Sequence, residues 1–338
     1  MKKSIDSAWQ YCEAMLPLVS RTFALNIARL EGPLYRAVLV GYLLFRMADT
    51  LEDSPALTEE EKITGLKHFA RLFRDPNPSD AYAKTISAVS AKLSISDDEN
   101  NLMVHGDLVF ACFSSLPRAT QAIITRALRE SAIGMAEYQS RKKGIQIYQL
   151  DDEKELVRYC YFVAGVVGKM LTELFCLDPK LASYKVGLAK QQIYFGVALQ
   201  LTNVIKDYPK DLKRGWCYIP RTVTDRLGID LEDLVSNPFK ARRSINRHMI
   251  PKTLPYLDGA YRYIALLPIS QHEIRMFCII PFVLAYHTLA HLARTQQEKL
   301  SRRQVQQLLE ISGDFCQSNE LLKADYEHTL RDPITHES

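Results

Sequence analysis

Two short acidic segments have the spacing that places oxygen ligands on one face of a helix. In the first, Asp49 and Asp53 lie four residues apart at the end of the apolar run "YLLFRMADTLED". If this run is helical, both carboxylates share a face and can act on one cationic centre. An exposed acidic helix end is the competing interpretation, because two solvated carboxylates tolerate each other without a metal ion.

The second segment repeats this pattern and adds an amide. Asn203, Asp207 and Asp211 follow one another at i, i+4 spacing in "LQLTNVIKDYPKDLKRGWCYIP", again after a strongly apolar run. Hard oxygen ligands at the ends of two core helices suit Mg²⁺, with Mn²⁺ as the alternative ion. A di-iron site would need a Glu-x-x-His sequence, which the chain lacks. Pro209 predicts a disturbed helix between the two aspartates.

Apolar residues recur at helical spacing along almost the whole chain, which predicts one all-α domain over residues 1–338 with a polar tail at about 323–338. Thr58 and Glu61 have the spacing of a capping box. The only candidate strand is "GIQIYQ", and polar stretches at 74–80 and 94–101 predict loops. The predicted helices cover 8–29, 34–52, 119–139, 153–175, 190–208, 274–294 and 302–316.

Composition narrows the class of protein. With 47% hydrophobic and 24% charged residues among 338, the chain can bury a large core. Its 43 basic residues are scattered among 39 acidic ones, which argues against nucleic acid as a partner. The seven cysteines contain no Cys-x-x-Cys pair, and the N-terminus has no signal-peptide core. We therefore expect reduced, mostly buried thiols and a cytoplasmic location.

One apolar run, residues 276–293, carries no Asp, Glu, Lys or Arg and approaches the length that spans a bilayer. Pro281, Thr288, His287 and His291 within it favour a buried core helix over a lipid-facing span. The two histidines have zinc-ligand spacing, but no Glu follows the first and no third ligand is evident, which favours histidines on a helix face. Association with a membrane surface stays open.

Four segments resemble the four signature segments of the squalene/phytoene synthase family and occur in the family's order. They are "SRTFALNIARL" (20–30), "YLLFRMADTLED" (42–53), "YCYFVAGVVGKMLTELF" (159–175) and "LQLTNVIKDYPKDLKRGWCYIP" (199–220). The resemblance implies a single-domain isoprenoid-synthase helical bundle, in which the two aspartate segments face each other across a deep central cavity. "MFCIIPFVLAYHTLAHL", "KLSRRQV" and "DYPKD" are most similar to the bacterial-type squalene-forming branch, without the C-terminal membrane anchor of eukaryotic relatives.

This resemblance implies a prenyltransferase that joins two molecules of farnesyl diphosphate head to head. The expected product is squalene, formed through presqualene diphosphate with Mg²⁺ and with reduction by NADPH. Phytoene, dehydrosqualene and hydroxysqualene synthesis without reductant are the alternatives, and a non-catalytic scaffold relative is a further one. Because substrate and product are apolar, we also expect peripheral contact with the inner face of the membrane.

The resemblance also assigns roles residue by residue. The metal-binding set is Asp49, Asp53, Asn203, Asp207 and Asp211. The positions that contact substrate or its diphosphate are Ser20, Arg21, Arg46, Gln200, Lys206 and Arg214. The aromatic residues that line the cavity are Phe23, Tyr42, Tyr159 and Phe277, of which Tyr159 would also assist a proton transfer. Small residues that leave room for the isoprenoid chain, or simply allow helix packing, are Ala164, Gly165 and Gly168. The candidates for the phosphates of NADPH are Lys299, Arg302 and Arg303.

Three residues depart from the family's pattern. Lys206 stands where Arg is frequent, and Lys210 stands where Glu is frequent. Lys210 places a positive charge beside the expected metal site and weakens the electrostatic case for a full set of ions there. Phe282 replaces a polar Gln that is usual in squalene synthases, which bears on the choice of product.

Overall fold

The computed structural model describes residues 4–89, 92, 97–295 and 299–331, and these are almost entirely helical. The helices form two compact units, Met1–Gly144 with Glu173–Leu177, and Ile145–Thr172 with Asp178–Ser338. The all-α prediction is confirmed. The single-domain prediction stays a prediction, and each unit is described by itself below.

The first unit is built around α3. Leu39, Leu43 and Met47 on this helix have no solvent exposure, and the capping box predicted at Thr58 and Glu61 opens α4. The helices among its described residues are α1 (Ile5–Val19), α2 (Arg21–Ile27), α3 (Gly32–Asp53), α4 (Glu59–Leu72), α5 (Pro78–Val89), α6 (Asp97–Val104), α7 (Gly106–Ser115) and α8 (Arg118–Lys142).

The predicted single helix over 8–29 is wrong, because the chain breaks at Ser20. This residue has an extended backbone (φ −156°), and it ends α1 and begins α2. Its hydroxyl accepts a hydrogen bond from the Phe23 N–H at 3.2 Å, which satisfies one of the amides left open at the start of α2. A serine side chain can replace a helical backbone hydrogen bond with one of its own, and at Ser20 this ends one helix and begins the next.

The second unit centres on α11 and α14, which pack along each other. Its described residues also include a π-helical segment, Tyr161–Gly165, a 3₁₀ turn, Pro179–Tyr184, and a final π-helical turn, Glu327–Arg331. The α-helices are α9 (Glu153–Cys160), α10 (Val166–Phe175, which ends in the first unit), α11 (Lys185–Lys213), α12 (Arg221–Leu227), α13 (Leu231–Ser236), α14 (Arg242–Leu266), α15 (His272–Arg294), α16 (Arg302–Gln317) and α17 (Asn319–Tyr326).

Prolines made two helices hard to predict. The predicted helix end at Tyr208 is wrong, since α11 continues through the buried Pro209 to Lys213. The helix α14 was not predicted at all, and it contains Pro251 and Pro255. A proline removes one intrahelical hydrogen bond, and in both helices a buried apolar face packed against neighbouring helices compensates for that loss.

Loops and strands were predicted in part. The chain is already helical from Pro78 and from Asp97, so the loops predicted at 74–80 and 94–101 are wrong in their second halves. Residues 94–96 lie outside the described part of the chain. The ribbon predicted in "GIQIYQ" is present as β1 (Tyr148–Gln149), which pairs in parallel with β2 (Trp216–Cys217). All seven cysteines are free thiols, and only Cys176 is not buried.

A fully buried arginine holds three helices of the second unit together. Arg275, on α15, donates hydrogen bonds to the Ile264 carbonyl (3.0 Å), the Leu267 carbonyl (2.7 Å) and the Cys316 carbonyl (3.0 Å). A fourth bond reaches Asn319 Oδ1 at 2.8 Å. Carbonyls at helix C-termini have no intrahelical partner, so one guanidinium satisfies the ends of α14 and α16 together.

The apolar run at 276–293 lies within α15. Among the described residues, His272–Arg294 is one helix that is long and apolar enough to cross a membrane by length and composition, and 67% of its most apolar window is buried inside the protein. This burial supports the prediction of a core helix. His287 Nε2 lies 3.1 Å from Asp325 Oδ2, which agrees with a histidine on a helix face rather than a zinc ligand.

Candidate active site

The first aspartate segment, residues 42–53, forms the C-terminal half of α3. Asp49 is partly exposed and Asp53 is exposed. Burial and the neighbouring Asp53 carboxylate raise the pKa of Asp49 to about 7, although Arg46 acts in the opposite direction. The two carboxylates are therefore close enough to repel each other, and a divalent cation between them would relieve that repulsion.

Two aromatic residues pack together at the start of this segment. The rings of Phe23 and Tyr42 have centroids 5.8 Å apart. Burial raises the pKa of the Tyr42 hydroxyl. Phe23 is 40% exposed. Because α2 begins after the break at Ser20, Phe23 on α2 packs against Tyr42 on α3, seven residues before Asp49.

Arg46 is engaged by a residue that sequence reasoning missed. Its Nη2 donates to Glu99 Oε1 on α6, and both side chains are partly buried. Nothing in the polar stretch around Glu99 signalled this contact, because the stretch predicted a loop. The side chain of Arg21, another candidate, lies outside the described part of the chain.

In the second aspartate segment, residues 203–214 at the C-terminal end of α11, lysines contact the proposed metal ligands. Lys210 Nζ donates to Asp207 Oδ1 at 2.6 Å. Lys206 Nζ lies 3.2 Å from Asp207 Oδ2 and donates to Asn203 Oδ1 at 2.9 Å. Burial alone would raise the pKa of Asp207, but the two ammonium groups outweigh it and lower that pKa.

Asp211 lies deeper in the same segment and is 6% exposed. It accepts a hydrogen bond from Arg214 Nη2 at 2.6 Å. Beneath the segment, the buried Arg242 guanidinium lies over the rings of Tyr208 (5.6 Å) and Phe239 (5.0 Å) and is 3.4 Å from the Lys206 carbonyl. Arg242 was not predicted. Its only sequence signal is a basic residue at the start of an unpredicted helix.

Tyr159 lies at the end of α9 in a stack of aromatic rings. Its ring stacks on Tyr218 with centroids 4.4 Å apart, and Tyr218 stacks on Trp216 at 5.4 Å. The Tyr159 hydroxyl donates to the Tyr218 hydroxyl at 2.8 Å. Tyr159 is 5% exposed, so this pair of hydroxyls can relay a proton in a largely dry environment.

The small residues after Tyr159 serve helix packing. A Cβ atom on Gly168 would lie 2.1 Å from the Gln192 carbonyl oxygen, and one on Gly196 would lie 2.1 Å from the Ala164 carbonyl oxygen. The backbone of α10 and of the π-helical segment therefore touches α11. Between the two interpretations of Ala164, Gly165 and Gly168, these contacts favour packing.

Gly168→Ala should lower the stability of the protein by about 1–3 kcal/mol, because the added methyl group meets backbone rather than a flexible side chain. The control is Gly313→Ala, at a helical position where a Cβ would meet nothing within 4 Å. That substitution should stabilise by about 0.5–1 kcal/mol. Thermal unfolding of both variants checks the prediction, and a Gly168→Ala protein as stable as the parent would contradict it.

The remaining candidates occupy varied positions. Gln200 is half-buried on α11, and Phe277 is buried on α15. Phe282 is fully buried, with ring centroids 5.1 Å from Tyr286 and 5.4 Å from Tyr326. The three residues predicted to bind NADPH are exposed at or just before the start of α16; they are Lys299, Arg302 and Arg303.

The two segments fit a metal ion to different degrees. Asp49 and Asp53 offer the one or two carboxylates that Mg²⁺ prefers alongside water and phosphate oxygens. In the second segment, both oxygens of Asp207 and one of Asp211 already contact basic side chains. Within the described residues, no three His, Cys, Asp or Glu side chains group together to hold an ion by themselves. A divalent cation therefore fits the first segment and does not fit the second as arranged.

Comparison with known proteins agrees with this architecture. Squalene synthase of Eremothecium gossypii is 30% identical over 284 residues, which cover 82% of this chain and 61% of that protein. A solved ligand complex of TcSQS has a TM-score of 0.79 at 23% identity, covering 97% of this chain and 92% of that one. A solved ligand complex of a dehydrosqualene synthase has a TM-score of 0.63 at 20% identity, covering 92% and 97%. The chain thus spans about three fifths of the length of the Eremothecium relative.

The helical architecture and these structural neighbours define the isoprenoid-synthase fold. The model of the squalene/phytoene synthase family matches residues 16–309, and that range contains both aspartate segments. The chain belongs to the squalene/phytoene synthase family, a family of prenyltransferase-type enzymes.

Proposed function

We propose that this protein condenses two molecules of farnesyl diphosphate head to head and converts the product, presqualene diphosphate, to squalene. In the first half-reaction one diphosphate leaves, the new allylic cation bonds to the second substrate, and a proton is lost. In the second half-reaction the remaining diphosphate leaves, and the rearranged cation accepts a hydride. Both halves begin by breaking a carbon–oxygen bond to diphosphate.

The observation that carries the proposal is the repelling carboxylate pair, Asp49 and Asp53, in a chain that belongs to this family. A bound Mg²⁺ would neutralise charge on the leaving diphosphate. The pair would hold that ion. Arg46 lies close enough to Asp49 to offset part of the rise in the pKa of that carboxyl group. A negative charge on the partly buried Asp49, next to Asp53, is costly unless a cation binds. This cost supports a metal-binding role over an ordinary acidic helix end.

Basic side chains of the second aspartate segment support diphosphate binding. Lys206, Lys210 and Arg214 are each held by an aspartate at hydrogen-bonding or ion-pairing distance. Cations fixed in this way can stabilise the charge that develops on a departing diphosphate without first reorganising.

Aromatic side chains support the handling of the carbocation. The exposed face of Phe23 next to Tyr42 can attract positive charge while offering no strong nucleophile. Phe277 on α15 would contribute in the same way.

Tyr159→Phe tests the proton transfer. The substitution keeps the ring stacked on Tyr218 and removes only the hydroxyl, so formation of presqualene diphosphate should slow by about a hundredfold. Tyr263→Phe is the matched control, since it also removes a buried hydroxyl, one that bonds Thr172 at 2.9 Å. The rates are measured with radiolabelled farnesyl diphosphate. A Tyr159→Phe enzyme at the parent rate would remove Tyr159 from the mechanism.

The reductive step is the finer part of the proposal. NADPH would supply the hydride, and Lys299, Arg302 and Arg303 would hold its phosphates. Their exposure and their basic character suit phosphate oxygens. Phe282, which replaces the usual Gln, is buried among aromatic rings, so its effect on product choice would act through packing.

The function is tested by incubating the protein with farnesyl diphosphate and Mg²⁺, with and without NADPH, and identifying the products. Squalene formed only with NADPH is the expected result. Dehydrosqualene or hydroxysqualene in both reactions would identify a non-reductive enzyme, and phytoene from geranylgeranyl diphosphate would identify the longer substrate. Release of diphosphate from neither substrate would favour a non-catalytic scaffold.

The proposal includes a cytoplasmic location with peripheral contact at the inner face of the membrane. Farnesyl chains and squalene partition into lipid, so an enzyme near the bilayer gains substrate and releases product more readily. Flotation with vesicles that contain anionic lipid, with and without farnesyl diphosphate, checks this part.

A further inference from the structure

We propose that Lys206 and Lys210 make the second aspartate segment a direct binding site for diphosphate, in place of a full set of magnesium ions. The inference rests on the proposed function, because that function makes diphosphate the expected ligand. It assigns different tasks to the two segments. The first holds a divalent cation, and the second binds the anion through its own ammonium groups.

The contacts of Asp207 are the first argument. Lys210 Nζ lies 2.6 Å from one carboxylate oxygen and Lys206 Nζ lies 3.2 Å from the other. Lys206 also donates to Asn203 Oδ1 at 2.9 Å. Both carboxylate oxygens of Asp207 and the Asn203 amide oxygen therefore contact an ammonium group, and one oxygen of Asp211, the third proposed ligand, contacts the Arg214 guanidinium. A divalent cation would have to displace both lysines before it could bind there.

The charge of the two segments is the second argument. Residues 203–214 contain more basic than acidic side chains, whereas residues 42–53 contain more acidic than basic ones. The charged residues of the second segment are Lys206, Asp207, Lys210, Asp211, Lys213 and Arg214, and those of the first are Arg46, Asp49, Glu52 and Asp53. A net positive segment attracts an anion without help from a metal ion, while a net negative one attracts a cation.

Exposure is the third argument. The Lys210 side chain is 50% exposed, so its ammonium group can meet a ligand from solvent while it stays bound to Asp207. Lys206 is less exposed, at 24%, and is oriented by two oxygen acceptors. Asp207 is then a positioning residue, which holds two ammonium groups that can donate charge-assisted hydrogen bonds to phosphate oxygens.

Binding of inorganic pyrophosphate in the presence of EDTA tests the proposal. Isothermal titration calorimetry of the parent should give measurable affinity without any divalent ion. Lys210→Gln should weaken that affinity about tenfold, since it removes one charge-assisted contact. The control is Lys213→Gln, which removes a charge from an exposed lysine of the same helix end and should change affinity by less than about twofold.

A second variant tests the replacement of metal by lysine. Lys210→Glu should raise the number of Mn²⁺ ions bound in the presence of pyrophosphate, measured by electron paramagnetic resonance, by at least one over the parent. Circular dichroism confirms that each variant is folded. Binding of pyrophosphate to the parent only when Mg²⁺ is present would overturn the proposal, as would equal weakening by Lys210→Gln and Lys213→Gln.

These outcomes separate this inference from the proposed function. Squalene formation together with pyrophosphate binding only in Mg²⁺ would support the proposed function and contradict the lysine site. Pyrophosphate binding in EDTA through Lys210, without formation of any product, would support the lysine site and contradict the proposed function.

Discussion

Asp49→Asn should reduce diphosphate release from farnesyl diphosphate by about a thousandfold or more and at the same time raise the stability of the metal-free protein. Activity falls because the variant loses one of two carboxylates that would hold the cation opposite the leaving group. Stability rises because a partly buried carboxylate, repelled by Asp53, is replaced by a neutral amide of the same shape. If Asp49 instead stabilised the folded protein, Asp49→Asn would lower both the activity and the stability.

The measurements are steady-state release of pyrophosphate and thermal unfolding with and without Mg²⁺. The parent should unfold at a higher temperature when Mg²⁺ is added, as expected for an ion that binds only the folded state, and the variant should lose most of that increase. Glu13→Gln is the control, because Glu13 is an exposed acid of the same unit. An Asp49→Asn enzyme within tenfold of the parent, or an unchanged response to Mg²⁺, would show that Asp49 does not bind the ion.

How far the fold could be predicted depended on the local signal of each element. The long apolar period of α3 and α8 predicted both helices to within a few residues. The helix α14 was missed because its two prolines outweighed its period, although packing against α11 holds it in place. At Ser20 the opposite happened. The helical spacing of apolar residues over 8–29 predicted one helix, and it gave no sign of the break that the hydrogen bond from the Phe23 N–H to the Ser20 hydroxyl stabilises.

The candidate site was predictable in residue types and not in contacts. The spacing of Asp49 and Asp53 predicted a shared face, and α3 is indeed helical through both residues, which lie four apart on it. By contrast, Glu99 and Arg242 come from helices that the sequence did not reveal. The pairing of Arg46 with Glu99 and the hydrogen bond from Arg242 to the Lys206 carbonyl could therefore not be foreseen. Lys210 was expected to weaken the metal site, but only the structure shows that it contacts Asp207.

Arg275→Met should destabilise the second unit by about 3–5 kcal/mol, which corresponds to a fall in the unfolding temperature of about 6–10 °C. The side chain has no solvent exposure, and its four hydrogen bonds satisfy three carbonyls at the ends of α14 and α16 as well as Asn319. Methionine fills a similar volume but donates no hydrogen bond. The Ile264 carbonyl keeps its hydrogen bond from the Leu267 N–H, whereas a carbonyl that is left without a donor carries a desolvation cost of about 1–3 kcal/mol, reduced where water can enter.

Thermal and urea unfolding of two further variants separate hydrogen bonding from charge. Arg262→Met removes an exposed arginine of α14 and should change stability by less than about 0.5 kcal/mol. Arg275→Lys keeps the charge but loses the planar fork that reaches several carbonyls at once, so it should fall between the parent and Arg275→Met. If Arg275→Lys were as stable as the parent, charge rather than the geometry of the guanidinium would hold α15 against α14 and α16. Phe277 lies two residues further along α15. Loss of the Arg275 hydrogen bonds should therefore also disturb the position of the Phe277 ring.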